Sequence, residues 1–440
     1  MATMQKMLNI NAPSQKVFKH LADSTCLPGR SRKEGTYLRL PRLRPLVTGA
    51  LIALLLSGLA LALGPAPRAS AMGENGGDGY VYVLNNDLTG SNSITAFSRE
   101  EDGSLTLLGT TSIGGLGSLA AFGTINAGTQ GSLILTHDEG TRLFAVDAGS
   151  DQISVVDVHN GHLSLSGVFS SGGAGPVSLS YRDGLLYVLN AANASTQAAN
   201  VAGFHVDDEG TLHPIAGATR PLSAPNPNPA QVLIDPSGHF LLVTEKNTNL
   251  IDVYHIHSDG SLSGPTTFPS VGAVPFGMAF NPASPRHELI VADAAGGPSN
   301  TGAATAYRLA HGTVELINGP VPDFQIAPCW MVITRDGHFA YTSDADSHTI
   351  SGYSIDEDGT ISLLSPNGVT ASTPSDTFPL EEGLSSGSHF LYVLDSRLLL
   401  KTPGPATIGG YQIHHDGSLT SVVDSTQIVL PFTTIGLAAE

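Results

Sequence analysis

Two markers that each recur seven times predict that this chain is an all-β protein, a seven-bladed β-propeller of four-stranded antiparallel blades. The first marker is a tight turn that has glycine at its second position and an aliphatic residue two positions later. The second is a short apolar run that ends in a carboxylate or amide and lies upstream of each turn. A β-rich module that repeats at this length is typical of propeller blades arranged around a central axis.

The turn marker sets the number of blades. Its glycines are 47 to 58 residues apart, and glycine supplies the positive φ that such a turn needs before the next strand begins. Very little helix is expected, because amphipathic helical patterns are nearly absent. The seven turns lie at 102–105, 160–163, 209–212, 259–262, 311–314, 358–361 and 416–419.

The second marker places seven polar side chains at the ends of the second strand (strand B) of each blade. Because successive strands alternate in direction, these ends share one face of the disc with the starts of the innermost strand (strand A). Five carboxylates are therefore expected on that face. The predicted B-strand ends are Asn85, Asp147, Asn190, Glu245, Asp293, Asp344 and Asp395. The predicted A-strand starts are Ser132, Ser178, Gln231, Gly277, Trp330, Asp376 and Gly436.

The fourth blade is the clearest copy of the repeat. Its strands are predicted at 231–235 (A), 239–244 (B) and 250–257 (C), and strand D begins near Ser261. The first blade lacks a strand A, because the repeats open on a B-type run at 80–84, whereas residues 434–439 resemble a strand A with nothing after it. We therefore predict that the C-terminal strand completes blade 1 and removes the open edges of the ring.

The N-terminal segment differs from the repeats. Residues 1–71 carry ten Lys and Arg against two acidic residues, and residues 46–63 are uncharged and mostly apolar. A small-residue site at Ala69-Ser70-Ala71 follows, as in a cleavable secretory signal. We predict a signal region over 1–71, cleaved near Ala71, and one propeller domain over 72–440, secreted to the extracellular space or periplasm without stable membrane insertion. An uncleaved N-terminal anchor is the alternative, because 18 apolar residues could just span a bilayer.

Charge and composition exclude several classes of function. After cleavage the chain would keep 10 basic and 36 acidic residues, a formal net charge of −26, so nucleic acid is not an expected partner. Only Cys329 would remain, which excludes an internal disulfide. The histidines are scattered and no zinc-ligand spacing recurs, so neither a metal nor a cofactor is predicted. We expect a monomer.

The candidate site residues lie on the face with the B-strand ends. Glu245 or Asp344 could act as a general base or as a ligand for a hard cation, whereas the alternative is that such carboxylates hold their own turns. Trp330, the only tryptophan, could stack on a sugar or lactone ring or pack against a neighbouring blade. The other predicted ligand-binding residues are Asp147, Lys246, Asp293 and Asp395.

The repeats resemble the seven-bladed propeller lactonases, a family that includes 6-phosphogluconolactonase and 3-carboxymuconate cyclase. The resemblance covers residues 79–440 and is carried by 229–243, which contains Asp235-Pro236-Ser237-Gly238, and by 330–354, where residues 334–341 form the same turn. In the family, strand A often starts Pro-Arg-His and strand B closes with Glu, and these side chains are the usual catalytic candidates. Here Pro229-Ala230-Gln231 and Pro328-Cys329-Trp330 replace the first motif, so only Glu245 and Asp344 are retained and the family site is degenerate.

The resemblance implies a lactone hydrolase or a lactonizing-type enzyme, a carboxylic ester hydrolase related to 6-phosphogluconolactonase. In this hypothesis Glu245 or Asp344 activates water, and Gln231 with backbone amides stabilises the oxyanion. Five carboxylates would repel an anionic substrate, so the expected ligand is a neutral lactone or sugar-like molecule. The alternative is a non-catalytic extracellular propeller that binds a glycan, peptide or protein partner.

Overall fold

The computed structural model describes residues 79–440, apart from 119–129, 138–139, 193–197, 225–226, 399, 401 and 424–427. Seven antiparallel sheets form the predicted seven-bladed propeller. Helix in these residues is limited to one 3-10 turn, Pro298–Asn300. None of the described helices is long and apolar enough to cross a membrane. The predicted signal region, 1–71, lies outside the described residues.

The strands follow the order A to D from the axis outward in each blade. Blade 1 contains β1 (Gly79–Asn85), β2 (Asn92–Arg99) and β3 (Leu105–Gly114); blade 2 contains β4 (Leu133–Thr136), β5 (Arg142–Asp147), β6 (Gln152–His159) and β7 (His162–Ser170); blade 3 contains β8 (Pro176–Arg182), β9 (Leu185–Asn190), β10 (Asn200–Val206), β11 (Leu212–Pro214) and β12 (Arg220–Pro221); blade 4 contains β13 (Pro229–Ile234), β14 (Phe240–Glu245), β15 (Leu250–Ile256) and β16 (Leu262–Pro269). Blade 5 contains β17 (Pro275–Phe280), β18 (Glu288–Asp293), β19 (Ala303–Ala310) and β20 (Thr313–Pro322); blade 6 contains β21 (Val332–Ile333), β22 (Phe339–Asp344), β23 (Thr349–Ile355), β24 (Ile361–Leu363) and β25 (Val369–Ser372); blade 7 contains β26 (Phe378–Leu384), β27 (Phe390–Ser396), β28 (Thr407–Ile413) and β29 (Leu419–Val423); the last strand is β30 (Thr434–Ala439).

The ring closes as predicted, through the C-terminal strand. β30 pairs antiparallel with β1 and becomes strand A of blade 1. Its Ile435, Leu437 and Ala438 are buried and join the hydrophobic clusters that blade 1 shares with blades 2 and 7. One strand therefore joins the two ends of the repeat array, so blade 1 is covered on its inner edge.

The recurring glycine turn also joins neighbouring blades. Each turn packs against the blade that precedes it, where a tyrosine hydroxyl often donates a hydrogen bond to the glycine carbonyl oxygen. Tyr187 bonds Gly260 at 2.7 Å, and Tyr392 of blade 7 bonds Gly103 of blade 1 at 2.8 Å. A Cβ atom built on Gly103 would lie 2.4 Å from the ring of Phe390. Glycine is thus required for both its positive φ of 84° and its lack of a side chain.

We predict that Gly103→Ala destabilises the fold through this contact between blades 7 and 1. Gly184→Ala is the matched control, because Gly184 has a similar φ of 77° but its added Cβ would have no neighbour closer than 3.9 Å. Strain at positive φ should cost both variants about 1 kcal/mol, and the clash should add about 1–3 kcal/mol to Gly103→Ala alone. Equal losses of unfolding free energy in urea would contradict the inter-blade role.

Candidate functional site

The predicted polar side chains do lie at the B-strand ends of one face, which we call the carboxylate face. Six of the seven are the last residue of their strand, and Asp395 is the last but one. They are buried and bond mainly to their own blade. Asp147 accepts hydrogen bonds from Asn92 and from Ser154, each at 2.7 Å, and Asp344 accepts them from Thr349 and Ser351. Such contacts are typical of side chains that stabilise the turn after strand B.

Burial keeps protons on several of these carboxyls. It raises the pKa of Asp147 and of Asp395 to about 7 and that of Asp293 to about 8, despite hydrogen bonds from Ser and Thr hydroxyls that oppose the rise. Burial, and next the charge of Asp323, raise the pKa of Asp344 well above its ordinary value. The face is therefore less negative near neutral pH than its formal charges suggest, which weakens the electrostatic case against an anionic ligand.

We predict that Asp293→Asn stabilises the protein at pH 8 but hardly at pH 4. The pKa of Asp293 is higher in the folded than in the unfolded chain, so its contribution to stability is fully present below about pH 4 and is lost as the pH rises towards 8. An amide is accepted at this position in blades 1 and 3, where Asn85 and Asn190 occupy it. Denaturation in urea should show a gain of about 1–3 kcal/mol at pH 8. An equal gain at pH 4 would contradict a titration effect.

Blade 4 differs from the other blades in the strand C side chain that lies beside the B-strand end. In each blade, one residue of strand C pairs with the residue two positions before the B-strand end. In blades 1, 2, 5 and 6 this strand C residue has a hydroxyl group, whereas in blade 4 it has a second carboxylate. Asp252 lies beside Glu245 there, and both are fully buried. The residues at the equivalent position are Thr95, Ser154, Ala202, Asp252, Thr305, Ser351 and Gly409.

The two carboxyls of blade 4 share one set of donors. The Ser223 amide donates to Glu245 Oε1 at 3.0 Å and to Asp252 Oδ2 at 3.1 Å. The hydroxyls of Ser223 and Thr248 both donate to Glu245 Oε2, at 2.7 and 2.6 Å. Burial, the charge of Glu245 and a hydrogen bond with it raise the pKa of Asp252 to about 8. Near neutral pH Asp252 therefore keeps its proton beside Glu245.

A proline followed by a bulge marks the start of strand A in four of the seven blades. In blades 3, 4, 5 and 7 a proline lies at the start of the strand and the register shifts directly after it. The prediction that strand A of blade 7 starts at Asp376 is wrong. Asp376 is an exposed loop residue paired with Arg397, and β26 begins only at Phe378. The axial residue is Glu381, two positions after Pro379, as Gln231 is two positions after Pro229.

The axial polar side chains connect blades, both neighbouring ones and ones on opposite sides of the axis. Gln231 Oε1 accepts the amide of Met278 at 2.6 Å. Gln130 spans from blade 2 to blade 6, where its side chain bonds both the amide and the carbonyl of Met331. A Cβ atom on residue 277 would lie 2.2 Å from Gln130 Oε1, so glycine is needed there to leave room for the Gln130 side chain. The oxygen of Gln231 is thus already engaged, and its role as an oxyanion donor stays a prediction.

Trp330 is buried at the axis. Its ring centroid lies 5.5 Å from that of Phe276, and it hydrogen-bonds Glu381, whose pKa burial raises to about 8. Lys246 Nζ lies 4.4 Å from the centroid of Phe276, and burial lowers the pKa of this lysine to about 7. Burial raises the pKa of the nearby Cys329 thiol, which keeps it unreactive. Stacking of Trp330 on a ligand would require this cluster to open.

The described residues contain no group of three or more His, Cys, Asp or Glu side chains that could hold a metal ion. Asp252 and Glu381 are the functional candidates that sequence reasoning missed. Aligning the C strands would have exposed Asp252 as the one acidic residue at its position. The recurring proline at the start of strand A would have located Glu381.

Comparisons with known proteins agree with this architecture. Residues 138–297 match the family model described as lactonase, 7-bladed beta-propeller. A putative 6-phosphogluconolactonase from Bacteroides fragilis has a TM-score of 0.58 at 17% identity, over 82% of this chain and 98% of that one. A periplasmic gluconolactonase from Pseudomonas aeruginosa has a TM-score of 0.60 at 15% identity, over 82% and 99%. At such identities these similarities show the shared fold. No curated protein matches the sequence.

Proposed function

We propose that this chain, a member of the seven-bladed β-propeller lactonase family, hydrolyses a lactone with the Glu245–Asp252 pair of blade 4 as its acid–base group. The observation that carries the proposal is the second carboxylate at a position where the other described blades have Ser, Thr, Ala or Gly. A buried carboxyl pair that shares one proton can both accept and donate a proton near neutral pH. The hydroxyls that bond Glu245 hold it as the proton acceptor.

The reaction needs one water and no other reactant. Glu245 takes a proton from the water while the water oxygen forms a bond to the lactone carbonyl carbon. In the same step Asp252 gives its proton to the carbonyl oxygen. The tetrahedral intermediate then returns a proton from its hydroxyl to Asp252 as the bond to the ring oxygen breaks, and Glu245 protonates that leaving oxygen. The product is the open-chain hydroxy acid, and both carboxyls end in their starting state.

Ser223 controls access to the pair. It is exposed, whereas Glu245 and Asp252 are not, and its amide and hydroxyl supply three of the hydrogen bonds that cover them. Substrate binding would move Ser223 aside and put the ester in its place. The bonds given up by Ser223 would be replaced by bonds to water and to the carbonyl oxygen.

A neutral lactone fits this site better than a phosphorylated one. Burial lowers the pKa of Lys246, the basic residue next to Glu245, to about 7, so much of it is uncharged at neutral pH. The pair itself carries a negative charge that would oppose an anionic substrate. The Pseudomonas aeruginosa neighbour is described as a gluconolactonase, which is consistent with a sugar lactone.

The pH profile tests the second carboxyl of the pair. Asp252 must be protonated to act as the acid, and its pKa is about 8 in the folded protein. The kcat/KM of wild type should therefore fall as the pH rises through about 8. Asp252→Asn should be slower below pH 8 because it has no proton to give, and its kcat/KM should not show that fall. A fall near pH 8 that persists in Asp252→Asn would assign the titration to another group.

A non-catalytic binding propeller is the second candidate. One observation favours it: Ser223 and Thr248 together engage both oxygens of Glu245, as in a residue that holds a loop. In that case small ligands would raise the melting temperature without turnover.

The purified full-length chain, assayed on a panel of neutral aldonolactones and their phosphorylated or carboxylated analogues, separates the two candidates. Acid release can be followed with a pH indicator and compared with spontaneous hydrolysis. Saturable hydrolysis of a neutral lactone supports the proposed enzyme. Thermal stabilisation by a lactone that is not turned over would replace it with the binding role.

A further inference from the structure

The face opposite the carboxylate face is rich in histidine. We call it the turn face, because the A–B and C–D turns form it. It carries fourteen of the fifteen histidines in the described residues, and only His348 lies at a B–C turn. Most of them are exposed. They are His137, His159, His162, His205, His213, His239, His255, His257, His287, His311, His338, His389, His414 and His415.

Four of these histidines line one cleft between blades 6 and 7. Its volume is about 610 Å³, which suits a small organic ligand. The floor is apolar and consists of Phe339, Ile355 and Ile413. The walls are His338, His389, His414 and His415, together with Thr334, Asp336, Ser354, Gly387 and Ser388.

Three of the four imidazoles make no hydrogen bond to the described residues. His414 bonds the Thr420 hydroxyl at 2.8 Å, but the rings of His338, His389 and His415 have no hydrogen-bond partner among the described residues. Each neutral ring offers one N–H donor, and each protonated ring offers two. The cleft thus contains several unused donors above an apolar floor.

The fixed charges of the two A–B turns beside the cleft are few. In the turn of blade 6, Asp336 accepts bonds from the Thr334 hydroxyl and the His338 amide. Arg335 of the same turn bonds the Ser386 carbonyl oxygen of blade 7. The A–B turn of blade 7, residues 385–389, has no acidic residue. One carboxylate and one guanidinium therefore face the histidines from these turns.

The C–D turns of blades 6 and 7 carry four acidic residues. Asp416 follows His415 in the turn of blade 7 and accepts bonds from the amide and hydroxyl of Ser418. The acidic residues of the blade 6 turn are Asp356, Glu357 and Asp358. That turn packs against blade 5, since a Cβ built on its Gly359 would meet the Glu288 side chain. Asp336 and Asp416 are thus the carboxylates nearest to the four histidines in sequence.

We propose that this cleft is a binding site for an oxyanion, such as a carboxylate or phosphate group on a small molecule, and that mildly acidic pH switches it on. Histidine side chains in general gain a proton as the pH falls from about 8 to 5, and the protonated ring has a positive charge and a second N–H donor for an oxyanion. A metal ion is a poorer fit, because the rings surround a volume and no three of the described ligand-type side chains converge on a point. A ligand with several oxygens can reach rings on both blades.

Sulfate is the probe of choice, because it stays a dianion across the working pH range. We expect calorimetric titration of the full chain at constant ionic strength to show saturable binding at pH 5.5 that is at least about tenfold tighter than at pH 7.5. The double variant His389→Gln/His415→Gln should lose most of this affinity. The matched control is His159→Gln/His162→Gln, which removes two exposed histidines from the same face in blade 2 and should bind as wild type does.

Three results would overturn the proposal: no saturable binding at pH 5.5, unchanged binding in the cleft variant, or an equal loss in both variants. The last would mean that the whole turn face attracts sulfate without a site. Melting temperatures of both variants at pH 7.5 verify that they fold. Citrate and a phosphorylated sugar, used as competitors, distinguish a carboxylate ligand from a phosphate ligand. The cleft and the Glu245–Asp252 pair lie on opposite faces of the propeller. The proposed oxyanion site and the proposed hydrolase can therefore be refuted independently of each other.

Discussion

Deletion of residues 432–440 is expected to unfold the propeller or to leave it only marginally stable. The deletion removes β30, whose Ile435 and Leu437 are buried between blade 1 and its neighbours. Losing two large buried aliphatic side chains costs about 4–10 kcal/mol, close to the whole stability of a typical domain. The deletion also exposes the inner edge of β1 along its ladder with β30. Chemical denaturation and size-exclusion chromatography would measure the loss.

Two controls show whether closure itself is responsible. Phe432→Ala changes an exposed side chain just before the strand and should leave stability nearly unchanged. A synthetic peptide of residues 432–440, added to the truncated protein, should pair with β1 and restore stability in a concentration-dependent way. A truncated protein that melts as wild type does would contradict closure through β30.

The fold is predictable because the repeat encodes it locally. Glycine at positive φ is required at the same point of each blade, and the contact of Gly103 with Phe390 explains why that glycine also cannot be replaced on steric grounds. The sequence misplaces the inner strand of blade 7 because the loop that precedes strand A varies in length. The proline that marks the bulge is shared by blades 3, 4, 5 and 7, and in blade 7 Pro379 locates Glu381 two positions later.

The site is predictable only in part. Glu245 stands out because it is the one glutamate among the B-strand ends, but its partner lies on the next strand. Register fixes that partner, since Asp252 pairs with Val243, two residues before Glu245. The prediction of five carboxylates on one face is correct, yet the sequence does not reveal their burial. That burial is what keeps protons on them and changes their effect on a ligand.

In the proposed hydrolase, Glu245→Gln is expected to lower kcat by at least about a hundredfold, because the amide cannot take the proton from water. Gln is nearly isosteric and can still accept the hydrogen bond of the Ser223 amide, so the melting temperature should change little. Steady-state rates on the best neutral lactone of the panel, measured at pH 7, give the comparison. Turnover within a few-fold of wild type in Glu245→Gln would remove this residue from the reaction.

The matched control for this variant is Ser154→Ala. Ser154 occupies the position of Asp252 in blade 2, where it donates to the buried carboxyl of Asp147 at 2.7 Å. Its loss removes a hydrogen bond from a B-strand end, as Glu245→Gln does, but at a site without a second carboxyl. Turnover should therefore be unchanged in Ser154→Ala. An equal fall in both variants would mean that the carboxylate face acts through its packing, and the lower rate of Glu245→Gln would no longer identify a general base.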